Sequence, residues 1–300
     1  MLFRVRFLGL IVIAAVAGVW PMAALAATAP SLGTAANFAV LSAAPLGGGA
    51  VTCTNGTITG NVGSSGVKAS VVQTNCPITG SIIAPVSAQV VNDFNTAYAA
   101  YASMTCSQTI TGTLANVTLS PGVYCLSAEA KTGTLTLKGP SNGTWIFLVA
   151  AIPATIPATG ALTGTNFNVV MAGGGNPCNV TWWVAQAATM TDSNFIGTIL
   201  AGAAITLTRG TFHGDALAKG AVTITGTAVT GCPATKRHGE GDEDVHCNQG
   251  VGNGPEGCDP GNSNNRLPSN DELGGVPGDP GRQGGLGLGK HSSTTASKRK

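Results

Sequence analysis

Apolar and polar positions along this chain follow two different periods. Between Pro85 and about Ser103 the period is helical: Val86, Val90, Phe94 and Tyr98 fall four apart, with Tyr101 three further on. Asn92, Asp93, Asn95 and Thr96 take the opposite side, and the proline suits a first turn. About nineteen residues at 1.5 Å each predict a rod roughly 28 Å long, packed along a larger β-structure. Nearly everything else is short β-like runs bounded by Gly, Asn, Pro or Ser. Thr57-Ile58-Thr59-Gly60 is echoed by Pro77-Ile78-Thr79-Gly80 and by Thr109-Ile110-Thr111-Gly112. Leu135-Thr136-Leu137, Trp145 to Val149 and Val169-Val170-Met171 are further runs.

The sharpest signal is a repeat of seventeen residues near the end of the patterned region. It aligns Cys178, Phe195 and Phe212, then Trp183, Leu200 and Leu217. It also aligns Thr189-Met190-Thr191, Thr206-Leu207-Thr208 and Thr223-Ile224-Thr225. That period is short for a helical repeat and suits one turn of a β-solenoid. Strand alternation sends Met190, Leu207 and Ile224 one way and the threonines the other. Stacked coils then build two columns, Thr189–Thr206–Thr223 and Thr191–Thr208–Thr225. Their grid spacing is about 4.8 Å across strands and about 6.7 Å along them. A neighbouring column of Thr181, Thr198 and Asp215 is interrupted by a charge and makes a poorer grid.

Composition sharpens this picture. Only 9% of the 300 residues are charged, against an ordinary share of about 25%. From Ala27 to Thr235 the acids are Asp93, Glu129, Asp192 and Asp215, and the bases Lys68, Lys131, Lys138, Arg209 and Lys219. The stretch from Lys236 to Lys300 holds nine acids and eight bases. A net charge of +2 offers no basic stripe for nucleic acid. The scarcity of Glu and Lys excludes a long coiled coil.

The two ends of the chain read differently from its middle. Arg4 and Arg6, the apolar run Phe7 to Trp20 and the small residues of Ala24-Leu25-Ala26 predict a secretory signal over residues 1–26. The run is shorter than the roughly 20 residues that span a bilayer, and no later segment is long and apolar enough, so no transmembrane segment is expected after cleavage. The patterned domain is expected over residues 27–235. Residues 236–300 hold too few apolar side chains to offset ordering entropy and predict a disordered Gly/Pro-rich tail.

Eight cysteines follow the signal, an even number that points to disulfides in an exported chain. Sequence alone leaves about 105 pairings open. Neighbour pairing is the simplest expectation: Cys53–Cys76, Cys106–Cys125, Cys178–Cys232 and Cys247–Cys258. A zinc site from His238, His246, Cys247 and Cys258 lacks close Cys-x-x-Cys pairs, so no metal or other cofactor is expected.

Several phrases resemble the secreted ice-binding-like proteins of the DUF3494 type. They include Leu32-Gly33-Thr34-Ala35-Ala36-Asn37-Phe38-Ala39-Val40-Leu41, Ile58 to Gly63, and Thr118-Leu119-Ser120-Pro121-Gly122-Val123-Tyr124. Trp145-Ile146-Phe147 and Cys178-Asn179-Val180-Thr181-Trp182-Trp183-Val184 continue the match. Phe195 to Ala201 and Gly214 to Ala218 close it, so roughly residues 31 to 232 are covered in family order. The resemblance implies a mainly β fold, a discontinuous triangular β-solenoid with one long α-helix packed alongside. It implies less about activity, because members differ widely in ice activity.

Threonine suits ice: its methyl excludes water, its hydroxyl anchors water, and branching at Cβ stiffens χ1. Thr189, Thr191, Thr206, Thr208, Thr223 and Thr225 are therefore the candidate ice-binding residues, with ice as partner. Threonine also favours exposed strands for reasons of propensity alone. A cell-surface or extracellular-matrix module, with envelope or matrix polysaccharide as partner, is the rival reading. Catalysis is not expected: Asp192, Asp215 and His213 are the only acids and histidine of the repeat region, and no nucleophile motif accompanies them. The phrase Asp259 to Asn264 departs from calcium-loop spacing and lacks a closing Glu.

Overall fold

A computed structural model describes residues 28–150 and 158–233. The expected signal segment, the Cys247–Cys258 pair, His238, His246 and the expected tail lie outside the described residues. Six strands come first: β1 (Val40–Ser42), β2 (Val51–Thr54), β3 (Thr57–Thr59), β4 (Val62–Ser64), β5 (Val71–Thr74) and β6 (Ile82–Ile83). Helix α1 (Ala88–Ala102) follows. Then come β7 (Gln108–Ile110), β8 (Val117–Leu119), β9 (Gly122–Leu126), β10 (Lys131–Lys138), β11 (Trp145–Val149) and β12 (Leu162–Ala172). The last are β13 (Val180–Val184), β14 (Ala188–Ile196), β15 (Thr198–Ala201), β16 (Ile205–His213), β17 (Ala216–Ala218) and β18 (Val222–Thr230).

These strands pair in parallel as a β-solenoid. One nine-stranded sheet runs β6-β4-β1-β17-β15-β13-β11-β9-β7. The other runs β5-β2-β18-β16-β14-β12-β10-β8, with β3 alongside β18. Its long strands bend midway, so each full coil has three sides. Spatial order departs from chain order at one point: β1 lies beside β17, and β2 beside β18. The N-terminal coils therefore stack on the C-terminal ones. The chain passes from β6 at one end, through α1, to β7 at the other.

Helix α1 is shorter than its periodicity predicts. It has 15 residues because Ser87, not Pro85, caps it, with the Ser87 hydroxyl accepting the Val90 N–H at 3.5 Å. Pro85 stands before the cap, after a cis Ala84–Pro85 peptide bond. Val90, Phe94, Ala97 and Tyr101 are buried against Leu41, Val123, Ile146, Leu148, Trp183, Leu200 and Leu217. The Tyr98 hydroxyl donates to the Val184 and Ala185 carbonyls, both at 3.1 Å. Asp93 accepts from the Thr34 N–H at 2.8 Å and the Thr34 hydroxyl at 2.6 Å, tying the helix to the Gly33–Asn37 turn.

Inside the coils a second core alternates with the first. Tyr124, Phe147, Trp182, Phe195 and Phe212 form a connected aromatic spine, with Phe147 and Trp182 stacked at 4.0 Å between centroids. Among the described residues, three disulfides join Cys53 to Cys76, Cys106 to Cys125 and Cys178 to Cys232.

One repeat alignment needs correction. Phe195 and Phe212 do pair, but Cys178 lies in a short turn before β13, because the preceding coil carries an inserted loop after β12. Ile58 and Ile78 are bridged neighbours, whereas Ile110 belongs to β7 on the other sheet. The shared Ile-Thr-Gly phrase marks a strand followed by a turn, not one place in the solenoid.

Candidate functional site

The two predicted threonine columns lie on the first half of the long strands. Thr189 pairs with Thr206 and Thr206 with Thr223; Thr191 pairs with Thr208 and Thr208 with Thr225. Between them Met190, Leu207 and Ile224 are buried, as strand alternation requires. Thr225 is exposed and the other five are half-buried, each flanked by a column neighbour.

Both columns are longer than the repeat revealed. Thr163 and Thr165 of β12 stand opposite Thr189 and Thr191, and Thr52 and Thr54 of β2 stand opposite Thr223 and Thr225. One column therefore reads Thr163–Thr189–Thr206–Thr223–Thr52 and ends at exposed Val72. Its partner reads Thr165–Thr191–Thr208–Thr225–Thr54–Thr74. Eleven threonines make the surface, with no charged side chain in either column. Gly164 beneath it leaves room for Met190: a Cβ there would meet the Met190 sulfur at 2.6 Å.

A corner bounds this face. Asn75, Asn55, Arg209, Asp192 and Asn166 have φ between 49° and 57°, and Gly226 has φ 62°. Asn and Asp accept this left-handed backbone more readily than most residues. Arg209 is held there with Asp192, its Nε at 2.5 Å from Oδ1 and its Nη2 at 2.6 Å from Oδ2. Those hydrogen bonds hold the Asp192 carboxyl below the usual range and push the Arg209 guanidinium up. The charges thus neutralise each other at the edge and leave the plane neutral. Beyond the corner Ser193 turns inward, accepting the Phe167 N–H at 3.1 Å and donating to the Thr191 carbonyl at 2.8 Å.

The Thr181–Thr198–Asp215 column is not a surface at all. All three side chains are buried on the helix-covered sheet. There Asp215 accepts the Cys232 N–H at 2.9 Å and the Thr198 hydroxyl at 3.3 Å. Nor do His213 and Asp215 share a side. Gly214, at φ +152°, turns the chain between them, leaving His213 exposed and Asp215 fully buried. Among the described residues no group of three His, Cys, Asp or Glu could hold a metal ion. Nor, among them, is any helix long and apolar enough to cross a membrane.

This three-sided parallel solenoid with a helix along one side has known counterparts. The family model described as ice-binding-like matches residues 45–230. The chain belongs to the ice-binding-like family. An ice-binding protein of Nostoc sp. (strain HG1) is 36% identical over 192 residues, which are 61% of this chain and 65% of that protein. This chain thus spans just under two thirds of that relative. Ice-binding protein K1-A of Typhula ishikariensis is 30% identical over 203 residues, covering 59% of this chain and 79% of that one. The crystal structure of an ice binding protein from an Antarctic biological consortium superposes with a TM-score of 0.61 at 28% identity. It covers 74% of this chain and 100% of its own.

Proposed function

We propose that this chain binds ice through the eleven-threonine face. One observation carries the reading: two adjacent, uncharged threonine columns continue without interruption over five and six strands. Parallel strands fix the hydroxyls at about 4.8 Å along each column, and residues two apart fix the columns at about 6.7 Å. Branched side chains with few rotamers lose little freedom when water orders against them. Methyl groups between the hydroxyls exclude disordered water, and the paired charges of Asp192 and Arg209 keep their hydration to the rim. The names of the Nostoc and Typhula relatives support the same ligand.

The reading includes export with removal of residues 1–26, a solenoid domain over residues 27–235 and a separate tail over residues 236–300. It assigns no catalytic step, since Asp192 is committed to Arg209 and Asp215 to the core. Ice shaping and thermal hysteresis of the chain and its Thr206→Tyr variant test it. Hysteresis in the parent that collapses in a folded Thr206→Tyr protein supports the face. Hysteresis unchanged by that bulky side chain overturns the face, and an inactive parent overturns the function. Retention on insoluble polysaccharide by an ice-inactive parent would favour the envelope module instead.

A further inference from the structure

The two ends of the solenoid are finished differently. At one end the loop after β7 folds Leu114 back into the core, where it is buried with φ 66°. Glu129 accepts the Gly112 N–H, and the fully buried Lys131 donates from Nζ to the Gly112 carbonyl at 2.8 Å. An apolar plug and two charged residues thus close that end. Charge of this kind guards an open strand edge against pairing.

The other end, the coil of residues 67–83, has no such cover among the described residues. β5 and β6 are the last strands of their sheets, bonded to β2 and β4 on one side only. Every residue of 67–83 except Cys76 is exposed or half-buried. Val71, Ile78 and Ile82 pack on the core yet stay half-buried, because among the described residues no further coil lies over them. The exposed large apolar side chains among these residues are Leu46, Val67, Val72, Ile83 and Val170, and three of the five belong to this coil. From Ala69 to Asn92 there is no Asp, Glu, Lys or Arg. Terminal coils of solenoids ordinarily carry a polar outer side, and this one does not.

We propose that the open end docks a second copy of this chain, β5 pairing antiparallel with β5. Three observations choose that occupant. A two-fold contact sets a patch against itself, so any charge meets its own sign, and this coil is uncharged from Ala69 onward. The stretch from Lys236 to Lys300, with nine acids and eight bases, would find no counter-charge here. The capped end offers no open coil to receive β5, so head-to-tail growth is blocked and pairing closes at two. The area is sufficient: sixteen residues at roughly 30 Å² each bury on the order of 1,000 Å² over both copies, the least that a specific interface needs. A two-fold axis crossing β5 exchanges the other two sides of the coil, so Ile78 of each copy faces Ile82 of the other. Val72 and Thr74 stay outward, and the threonine columns of two chains run on into one surface. That last consequence rests on the ice reading above; the docking does not.

Light scattering of the full chain after size exclusion reads the outcome as mass. Mass is expected to double as concentration rises, and the β5 amides to gain protection from hydrogen exchange over the same range. Val72→Lys and Val72→Glu should each stay single, because like charges meet across the axis, and their equal mixture should regain the doubled mass. Ile83→Lys, on the other sheet, repeats the loss if a Val72 variant melts early. It leaves every threonine in place, so its hysteresis should fall below the parent's at equal chain concentration. A parent of single mass at every concentration overturns the docking. Protected β5 amides in such a single chain assign the edge to the chain's own residues 236–300 and overturn it equally. Doubling undisturbed by Val72→Lys and Ile83→Lys, or growth past two copies, places the contact elsewhere and overturns it. Parental hysteresis in a single-mass Ile83→Lys overturns the joined surface. A parent that doubles in mass but lacks hysteresis upholds the docking and overturns the ice reading.

Discussion

The helix-covered sheet and the threonine face come from the same coils, yet one is hidden and the other bare. Both alternate inward and outward residues along parallel strands. On the covered side the outward residues are Leu41, Val123, Ile146, Leu148, Trp183, Leu200 and Leu217. At about 25 cal/mol per Å² of apolar surface, leaving them in water would be costly, and α1 lies over them. On the bare side the same outward positions are threonine, whose hydroxyls keep water acceptable. A solenoid thus chooses which side to bury through one residue in two, without changing its backbone.

Charge placed on each side breaks that comparison most sharply. Leu200→Asp would bury an unpaired carboxylate and should cost about 4 kcal/mol or more, lifting α1 or unfolding the chain in urea titration. Thr206→Asp on the bare side should move stability by only about 0.5 kcal/mol while sharply lowering hysteresis. Equal destabilisation by the two would mean the bare face is structurally loaded. Next in size is the Cys178–Cys232 link, which spans a sequence separation of 54. Its removal by Cys178→Ala with Cys232→Ala should cost about 4 kcal/mol through the unfolded state, leaving hysteresis intact below the new melting point.

The smallest effect is alkaline. Burial pushes the Tyr98 phenol up to about 12 from its ordinary value of 10.0. A folded value above the unfolded one means a contribution fully present below about pH 10 and lost as pH rises through about 12. Burial raises the Tyr124 phenol as well, so ultraviolet titration should show late-ionising tyrosine, and Tyr98→Phe should remove only the part that titrates at about 12. The threonine face has no such group, so ice shaping should persist wherever the fold does.

Much of this was legible because alternation is a local rule. Met190, Leu207 and Ile224 could be sent inward, and their flanking threonines outward, from spacing alone. Thr163 and Thr165 escaped because their coil is offset by 26 residues, not 17, from Thr189 and Thr191. Thr52 and Thr54 escaped because their neighbours Thr223 and Thr225 lie 171 residues later in the chain. The Thr-x-Thr phrases Thr52-Cys53-Thr54 and Thr163-Gly164-Thr165 were the available signal, but the same phrase also occurs elsewhere. Alternation alone sends Asp215 outward, but Gly214 reverses it at a corner that no period reveals.

The junction of β2 with β18 also sets a timetable. At about 5–20 residues per second, Thr223 leaves the ribosome on the order of ten seconds after Thr52. During that interval β1 and β2 have open edges where β17 and β18 will later pair. The newborn chain must hold its first coils in waiting, exposed to wrong partners, until β17 and β18 arrive. Among the described strands, the last one made completes the middle of its sheet.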